Sequence, residues 1–316
     1  MAPVFLTVDT ELGWRHHMAR LDVDALFARS IEPAGVGIAY QLATLAKHRL
    51  KACFFVDPLP ALLFGIEPMQ RLVGAILAAG QEVQLHVHPN WVGAVAGDGG
   101  AAHGKYELID YNEDEQRELI AQARDLLVAA GAPMPLAFRA GSYGANDATL
   151  RALATLGFTY DSSHNGAEHP WPSAIDLPIT QIAPIRHQGV IEVPVTLIHD
   201  RPGRSRNFQI CALSGGEMAA ALDHAAANHH AAVTIVSHSF ELANRAGTRR
   251  NNVHVRRFEA LCTMLAARRD TLPTVPFAQA DLALGQHDAP LAPNTLRTGW
   301  RYVEQAWSNL VEERAA

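Results

Sequence analysis

Short apolar runs typical of β-strands alternate with segments of helical periodicity along most of the chain. Residues 4–8 and 52–56 form the first two apolar runs, and helical patterns at residues 35–48 and 68–79 follow them. This order is typical of βα units arranged around a parallel sheet. The sequence has neither a GxGxxG nor a GxxxxGK phosphate-binding motif, which disfavours Rossmann and P-loop nucleotide-binding designs. The alternation therefore predicts a barrel-like α/β enzyme.

Composition is consistent with one large globular domain. Hydrophobic residues make up 48% of the 316 positions and charged residues 18%, enough for a sizeable core. Barrels of the α/β class commonly reach this length as single domains. The formal net charge is −6 and there is no long basic block, which argues against nucleic acid or an anionic membrane as the main partner.

Cysteine usage and the N-terminal residues bear on the cellular compartment. Cys53, Cys211 and Cys262 are an odd number of widely separated thiols without a Cys-x-x-Cys pair, so neither a disulfide framework nor a thiolate zinc site is expected. No signal-peptide pattern precedes the first apolar run, and no apolar run is long enough to span a bilayer. We therefore expect a cytoplasmic protein without a membrane span.

Acidic and imidazole side chains stand at the ends of two predicted strands. Asp9 and Glu11 follow the first apolar run, and His86 and His88 follow a third run. Parallel sheets and barrels gather the carboxyl ends of their strands at one mouth, so these distant residues can converge. Alternate residues of a strand share a face, and carboxylate and imidazole groups are ligands that zinc accepts. The pattern indicates a hydrolase site built around one divalent metal.

Six motifs, together spanning about residues 4–280, resemble those of the polysaccharide deacetylase family and occur in the family's order. They read VDTE at 8–11, EVQLHVHP at 82–89, FRAGSYG at 138–144, YDSS at 160–163, IEVPV at 191–195 and SHSFEL at 237–242. The resemblance implies a distorted (β/α) barrel over residues 1–284. It also implies metal-assisted removal of an acetyl group from an N-acetylated sugar, with zinc as the metal.

The resemblance assigns the metal and the base to particular residues. Asp9 corresponds to the general base that takes a proton from the attacking water. Glu11, His86 and His88 correspond to the metal ligands. The family more commonly has two adjacent aspartates and two histidines four positions apart, so Asp9 and Glu11 can exchange roles. Other side chains that can modify the metal shell are Asn90, His16 and His17.

Three further residues complete the implied catalytic set. Arg139 corresponds to the arginine that pairs with the catalytic aspartate and fixes its orientation. Tyr143 corresponds to the position whose backbone N–H stabilises the oxyanion, and His238 to the general acid that protonates the departing amine. The acidic residue that tunes this histidine in many relatives has no clear counterpart here. Asp161 and Glu192 are the candidates.

Substrate recognition is open to more than one interpretation. The locally basic loop 200–207 contains Arg204 and Arg206, which predict binding of an anionic group such as a diphosphate or carboxylate, or else form a solvated surface. Trp91 is expected to contact the substrate. Two other functions stay open: hydrolysis of a non-sugar amide such as a cyclic ureide or imide, as in allantoinase-like barrels, and carbohydrate binding by a pseudoenzyme.

The final segment, residues 285–316, lies outside the resemblance. Its apolar residues recur at helical spacing and are Leu296, Trp300, Val303, Trp307, Leu310 and Val311. A helix with such a stripe is expected to bury it. It would cover the barrel, form a homo-oligomer contact, or act as a lid over the active site.

Overall fold

A computed structural model describes residues 1–97 and 104–313. The strands in this part of the chain are β1 (Val4–Thr10), β2 (Cys53–Val56), β3 (Glu82–Val87), β4 (Ala137–Ala140), β5 (Tyr160–Asp161), β6 (Ile185–His187), β7 (Val190–Glu192), β8 (Leu197–Arg201), β9 (Arg204–Asn207) and β10 (Val233–His238). Eight of them form one sheet in the order β10-β1-β2-β3-β4-β5-β7-β6. Only β6 and β7 pair antiparallel within it, and β8 and β9 form a separate hairpin.

Helices connect the parallel strands, as the periodicity predicts. They are α1 (Trp14–Met18), α2 (Val23–Ser30), α3 (Ile38–His48), α4 (Ala61–Phe64), α5 (Glu67–Ala78), α6 (Glu113–Ala129), α7 (Asp147–Thr155), α8 (Gly215–Ala227), α9 (Asn252–Ala267) and α10 (Thr295–Trp307). Asn112 caps α6 by accepting a hydrogen bond from the backbone N–H of Glu115, whose carboxylate accepts one in return from the N–H of Asn112. No helix of residues 1–97 or 104–313 is long and apolar enough to cross a membrane.

The predicted α/β barrel is confirmed in its distorted form. The sheet curls into a half-barrel, and in the described chain no strand ladder joins β6 to β10. Residues around Gln209 lie along the free edge of β10 instead. The backbone N–H of Val236 donates to the carbonyl of Phe208 at 2.9 Å, and Gln209 forms an isolated bridge with Val236. This segment brings additional polar groups to the end of β10.

Strand β1 is buried on both faces, as expected for a central parallel strand. Its outer face enters the main core through Val4, Leu6 and Val8. Its inner face begins with Phe5, whose ring lies 4.4 Å from that of Phe277 and fills the interior of the barrel. Because side chains alternate along a strand, Thr7 and Asp9 follow Phe5 on the same face. The apolar interior therefore ends in polar groups at the carboxyl end of β1.

Residues 272–277 do not form a regular strand. The segment runs beside β1 and makes an isolated bridge between Val4 and Thr274. Pro273 and Pro276 flank this bridge and have no N–H to donate, so the ladder cannot extend. A 3₁₀ turn at Phe277–Gln279 follows.

The C-terminal segment attaches to the barrel through ion pairs. Arg301 of α10 is fully buried and contacts Asp200 of β8 and Glu217 of α8. The apolar residues of this helix stay largely exposed, with Leu296 at 83% and Trp300 at 60%. The helix thus buries a polar stripe where the periodicity predicts an apolar one. The division at residue 285 and a homo-oligomer contact stay predictions, and residues 314–316 lie outside the described chain.

Candidate active site

The register of the parallel strands brings the predicted catalytic residues together. Asp9 of β1 lies opposite His238 of β10, and His86 of β3 lies opposite Arg139 of β4. All four are near the carboxyl ends of their strands. A cavity of about 110 Å³ opens there. Its lining includes Asp9, Glu11, His86, His88, Tyr143 and His238.

Glu11, His86 and His88 form a group suited to a metal ion. One potential ligand atom from each lies within 4.8 Å of those of the other two. Glu11 Oε2 is 3.0 Å from His86 Nε2 and also contacts His88 Nε2. Ligand atoms bound to one zinc ion at about 2.0–2.2 Å lie a little over 3 Å apart. The three predicted ligands therefore fit one small divalent cation.

A backbone contact fixes the orientation of His86. Its Nδ1 lies 2.8 Å from the carbonyl oxygen of Arg139. A carbonyl only accepts hydrogen bonds, so Nδ1 carries a proton and donates it, and Nε2, which faces Glu11, is the nitrogen that a metal would bind. Metal-bound histidines commonly have their second nitrogen held in this way.

The charges of the three ligands depend on one another. Burial alone would raise the pKa of Glu11, but the charges and hydrogen bonds of His88 and His86 hold it well below its ordinary value. Burial would lower the pKa of His88, but Glu11 raises it to about 9. Without a metal, the proton thus stays on His88, which forms an ion pair with the ionised Glu11. A divalent cation would replace that proton, so metal binding should release it.

Arg139 is buried without solvent exposure and makes four hydrogen bonds. Its Nη1 donates to Asp9 Oδ1 and to Thr7 Oγ1, both at 2.7 Å. Its Nε and Nη2 donate to the carbonyl and hydroxyl oxygens of Ser162. A buried guanidinium is tolerated only when its donors are satisfied and its charge is paired. This network fixes Asp9 Oδ1 and leaves Oδ2 facing His238 across 4.0 Å.

Glu241 is the acidic partner of His238, and it lies within the SHSFEL motif although it was not among the candidates predicted from the sequence. Its Oε2 lies 3.4 Å from His238 Nδ1, while its Oε1 accepts from the backbone N–H of Cys211 at 2.7 Å and from Gln209 at 3.2 Å. Burial would lower the pKa of His238, but Glu241, together with the charges of Asp9 and Glu11, raises it to about 9. A protonated His238 at neutral pH fits the general-acid role that the resemblance implies for it.

The two acids proposed as tuning residues lie elsewhere. Asp161 accepts from the N–H and hydroxyl of Ser163, and Glu192 accepts from the N–H of His164. The two carboxyl groups also share a hydrogen bond with each other. Neither is hydrogen-bonded to His238 in the described chain. The prediction for these residues is wrong because both carboxyls turn toward the 161–164 segment.

We expect Glu241→Gln to move the alkaline limb of the pH profile of kcat/KM to lower pH. A general acid works only when protonated, so activity falls as the pH rises through its pKa. Removing the negative charge lowers the pKa of His238 and should shift that limb by roughly 1–2 pH units. Glu192→Gln is the matched control, since it replaces a buried carboxyl that does not contact His238. An unchanged limb in Glu241→Gln would contradict the assignment.

Asp57 is a further carboxyl group at this rim. It follows β2 and is buried, and its Oδ1 accepts from the N–H of Leu59 at 3.1 Å. Burial raises the pKa of Asp57 to about 7, although the charges of His88 and His86 oppose this rise. Asp57 is not part of the three-residue group of potential ligands. Asp57 directly follows the apolar run 52–56, the same placement as Asp9 after residues 4–8, but none of the six motifs includes it.

The turn after β4 is strained where it meets the cavity. Ser142 and Tyr143 have φ angles of 53° and 60°, in the left-handed region that side chains with a Cβ rarely adopt. Such strain occurs preferentially at functional sites. Gly141 precedes them, and a Cβ on it would lie 2.4 Å from His88 Nδ1. The backbone of this turn therefore packs directly against a predicted metal ligand.

We expect Gly141→Ala to weaken metal binding by roughly 10–100-fold, as changes that misorient a ligand commonly do. The added methyl group must displace the ring of His88, because the three atoms nearest to it, at 2.4–2.6 Å, all belong to that ring. Competition with a chromophoric chelator measures the affinity. Gly74→Ala in α5 is the control, because its Cβ would meet no atom within 4 Å. Equal metal affinity in the two variants would show that His88 is not held by this contact.

The three predicted substrate-binding residues do not line the metal cavity. Trp91 is 1% exposed and packs edge-on against Trp14 at 5.0 Å, so its ring has no free face for a sugar. Arg204 and Arg206 lie 3.8 and 3.4 Å from the buried carboxylate of Asp200. They line a separate cavity of about 510 Å³. Trp91 is therefore a packing residue, and the role of the two arginines stays a prediction.

Comparison with known proteins bears on the fold. No protein-family model matches the sequence, and no curated protein matches it significantly. A solved structure described as a polysaccharide deacetylase from Mycobacterium smegmatis superposes with a TM-score of 0.52 and 18% identity, covering 89% of this chain and 95% of that one.

Two other solved structures are more distant. A family 4 carbohydrate esterase from Streptomyces lividans gives a TM-score of 0.44 and 14% identity, covering 93% of this chain and 98% of that one. A family 4 pseudoenzyme from Bacillus anthracis gives 0.41 and 14%, covering 94% and 65%. The first superposition matches the barrel that the six motifs predict. The chain has the fold of the polysaccharide deacetylases.

Proposed function

We propose that the protein is a metal-dependent hydrolase that removes the acetyl group from an N-acetylated sugar. One observation carries this proposal. A ligand group of Glu11, His86 and His88 shares one cavity with an Asp9 carboxylate held by Arg139 and with a protonated His238. Base and acid thus face each other across 4.0 Å beside the metal position. Hydrolysis of an amide needs these groups together.

Asp9, Tyr143 and His238 each have a separate role in the proposed reaction. When bound, the metal would supply Lewis-acid polarisation of the acetyl carbonyl and of water. Asp9 Oδ2 takes one proton from the attacking water, whose oxygen bonds to the acetyl carbon. The N–H of Tyr143 would stabilise the negative charge on the former carbonyl oxygen. The C–N bond then breaks as His238 gives its proton to the nitrogen. The products are acetate and a free amine.

The donor set favours zinc among common metals. Two imidazole nitrogens and one carboxylate oxygen match the three-ligand sites of catalytic zinc, whereas calcium and magnesium prefer oxygen ligands. Zinc therefore fits the proposed reaction. A cytoplasmic location stays a separate prediction, made from the cysteines.

Acetate release tests the proposed reaction. Purified protein is stripped with a chelator, reloaded with zinc, and incubated with N-acetylglucosamine, its 6-phosphate and chitotetraose. We expect acetate from at least one of them, only in the reloaded sample. Ring opening of hydantoin without acetate release would favour a cyclic-ureide hydrolase. Saturable sugar binding with no turnover of any compound would favour a pseudoenzyme.

A further inference from the structure

A second, larger cavity of about 610 Å³ also borders His238, and the described residues that line it do not include Glu11, His86 or His88. Cavities of this volume suit small molecules rather than water alone. Its wall includes Arg15, Cys211, Phe240, Arg245, Gln305 and Asn309. The last two come from the C-terminal segment, so residues outside the six motifs help to build it.

Two arginines offer positive charge in this cavity. Arg15 places its Cζ 5.0 Å from the ring centroid of Phe240, and that ring stacks on His238 at 5.3 Å. Arg245 is fixed by its backbone N–H, which donates to Glu313 at 2.8 Å. Among the described residues, neither guanidinium has an ion-paired or hydrogen-bonded side-chain partner. Burial and the nearby charge of Arg245 lower the pKa of Arg15, while the charges of Glu11 and Glu313 oppose this change.

The carboxylates in the same wall are already engaged. Glu241 accepts hydrogen bonds from Cys211 and Gln209 and pairs with His238. Glu313 accepts from Asn251 at 2.9 Å and from the backbone of Arg245. Their oxygens are held by protein donors, whereas ten guanidinium hydrogens remain for a ligand. The cavity therefore presents donors to whatever enters it.

The proposed chemistry decides which cavity the sugar occupies. The metal and the Tyr143 N–H bind the acetyl group, while His238 protonates the nitrogen that carries the sugar. The sugar must therefore lie on the His238 side, where Arg15 and Arg245 are. Arg204 and Arg206 line a different cavity, and the carboxylate of Asp200 already neutralises them in part.

We propose that Arg15 and Arg245 bind an anionic substituent, a phosphate or carboxylate, on the sugar from which the acetyl group is removed. This inference rests on the proposed function for its orientation. Guanidinium groups bind both anions through paired hydrogen bonds. The substrate class is thus an acidic or phosphorylated acetamido sugar. The anion contacts lie at the leaving-group side and not in the loop 200–207.

Kinetics of the double variant Arg15→Gln and Arg245→Gln test the subsite. N-acetylglucosamine 6-phosphate and N-acetylmuramic acid serve as the phosphate and carboxylate probes, and N-acetylglucosamine as the neutral one. For the better anionic probe, KM should rise about tenfold or more while kcat changes little, because ground-state binding is lost. KM for the neutral probe should stay within about twofold. Arg71→Gln, an exposed arginine of α5, is the matched control.

A binding measurement separates failure of the subsite from failure of the reaction. Inorganic phosphate should raise the midpoint of thermal unfolding of the wild type more than that of the double variant. Phosphate bound at the metal would protect both equally, which would overturn the subsite. Loss of protection without turnover of any sugar would refute the proposed reaction and keep the subsite. Anionic turnover that depends on Arg204 and Arg206 instead would also overturn it.

Discussion

Replacing Asp9 by asparagine is expected to lower kcat by roughly 10²–10⁴-fold while the protein keeps its metal. The amide has nearly the same shape as the carboxylate and can still accept the hydrogen bond from Arg139. It cannot take a proton from water. Because Asp9 is outside the ligand group of Glu11, His86 and His88, metal content should stay at about one equivalent per chain. Turnover and elemental analysis on the same preparation give both values.

The control must allow for the loss of a buried charge. Asp9→Asn leaves the guanidinium of Arg139 unpaired in the interior, which can cost about 3–5 kcal/mol of folding free energy. Activity is therefore compared well below the unfolding midpoint. Thr7→Val removes another partner of Arg139 but keeps the base, so it should lose far less activity. If Asp9→Asn loses metal and activity together, Asp9 is a ligand and Glu11 takes the role of base.

The convergence of the metal group could be predicted from the sequence because it follows from strand geometry. Asp9 and His86 stand at the carboxyl ends of apolar runs, and a parallel sheet brings such ends to one rim. Alternation of side chains then places Glu11 and His88 beside them. This prediction needs no tertiary contact beyond the parallel order of the strands. The apolar runs that predict the barrel also mark the positions of these four residues.

The partner of His238 could not be chosen in the same way. Glu192, Asp161 and Glu241 are all acidic residues at strand ends, and sequence does not say which carboxyl turns toward the histidine. The turn after β10 brings Glu241, three residues further on, back to His238, and the segment containing Gln209 and Cys211 holds it there. The spacing His-x-x-Glu was visible, but a strand followed by a turn gives no firm rule for it.

The C-terminal helix shows how long-range ion pairs override periodicity. Its apolar stripe predicted the buried face, yet Arg301 is buried because Asp200 and Glu217 neutralise it from 101 and 84 residues away. A similar limit applies to Trp91, which packs against Trp14 of α1. Neither contact leaves a local pattern. Contacts with distant segments therefore determine which side chains of α10 are buried and whether the ring of Trp91 is exposed.

Replacing His86 by alanine is expected to abolish stable metal binding. The variant keeps Glu11 and His88, but these two form an ion pair when no metal is present, so a cation must also break that pair. Two ligands also fall short of the three that catalytic zinc sites use. Wild-type protein should hold about one equivalent of zinc after dialysis, and His86→Ala should hold little.

Turnover should fall at least as far in His86→Ala as in Asp9→Asn, because the variant loses the metal along with the geometry of the site. His230→Ala is the matched control, since His230 is also a buried histidine, 4% exposed, but lies outside the metal group. It should retain the full equivalent. Elemental analysis of the wild type, His86→Ala and His230→Ala after the same dialysis measures the zinc content of each. Full zinc retention by His86→Ala would show that the ion binds elsewhere. It would also contradict the roles of Asp9 as base and His238 as acid, because both assume a metal in this cavity.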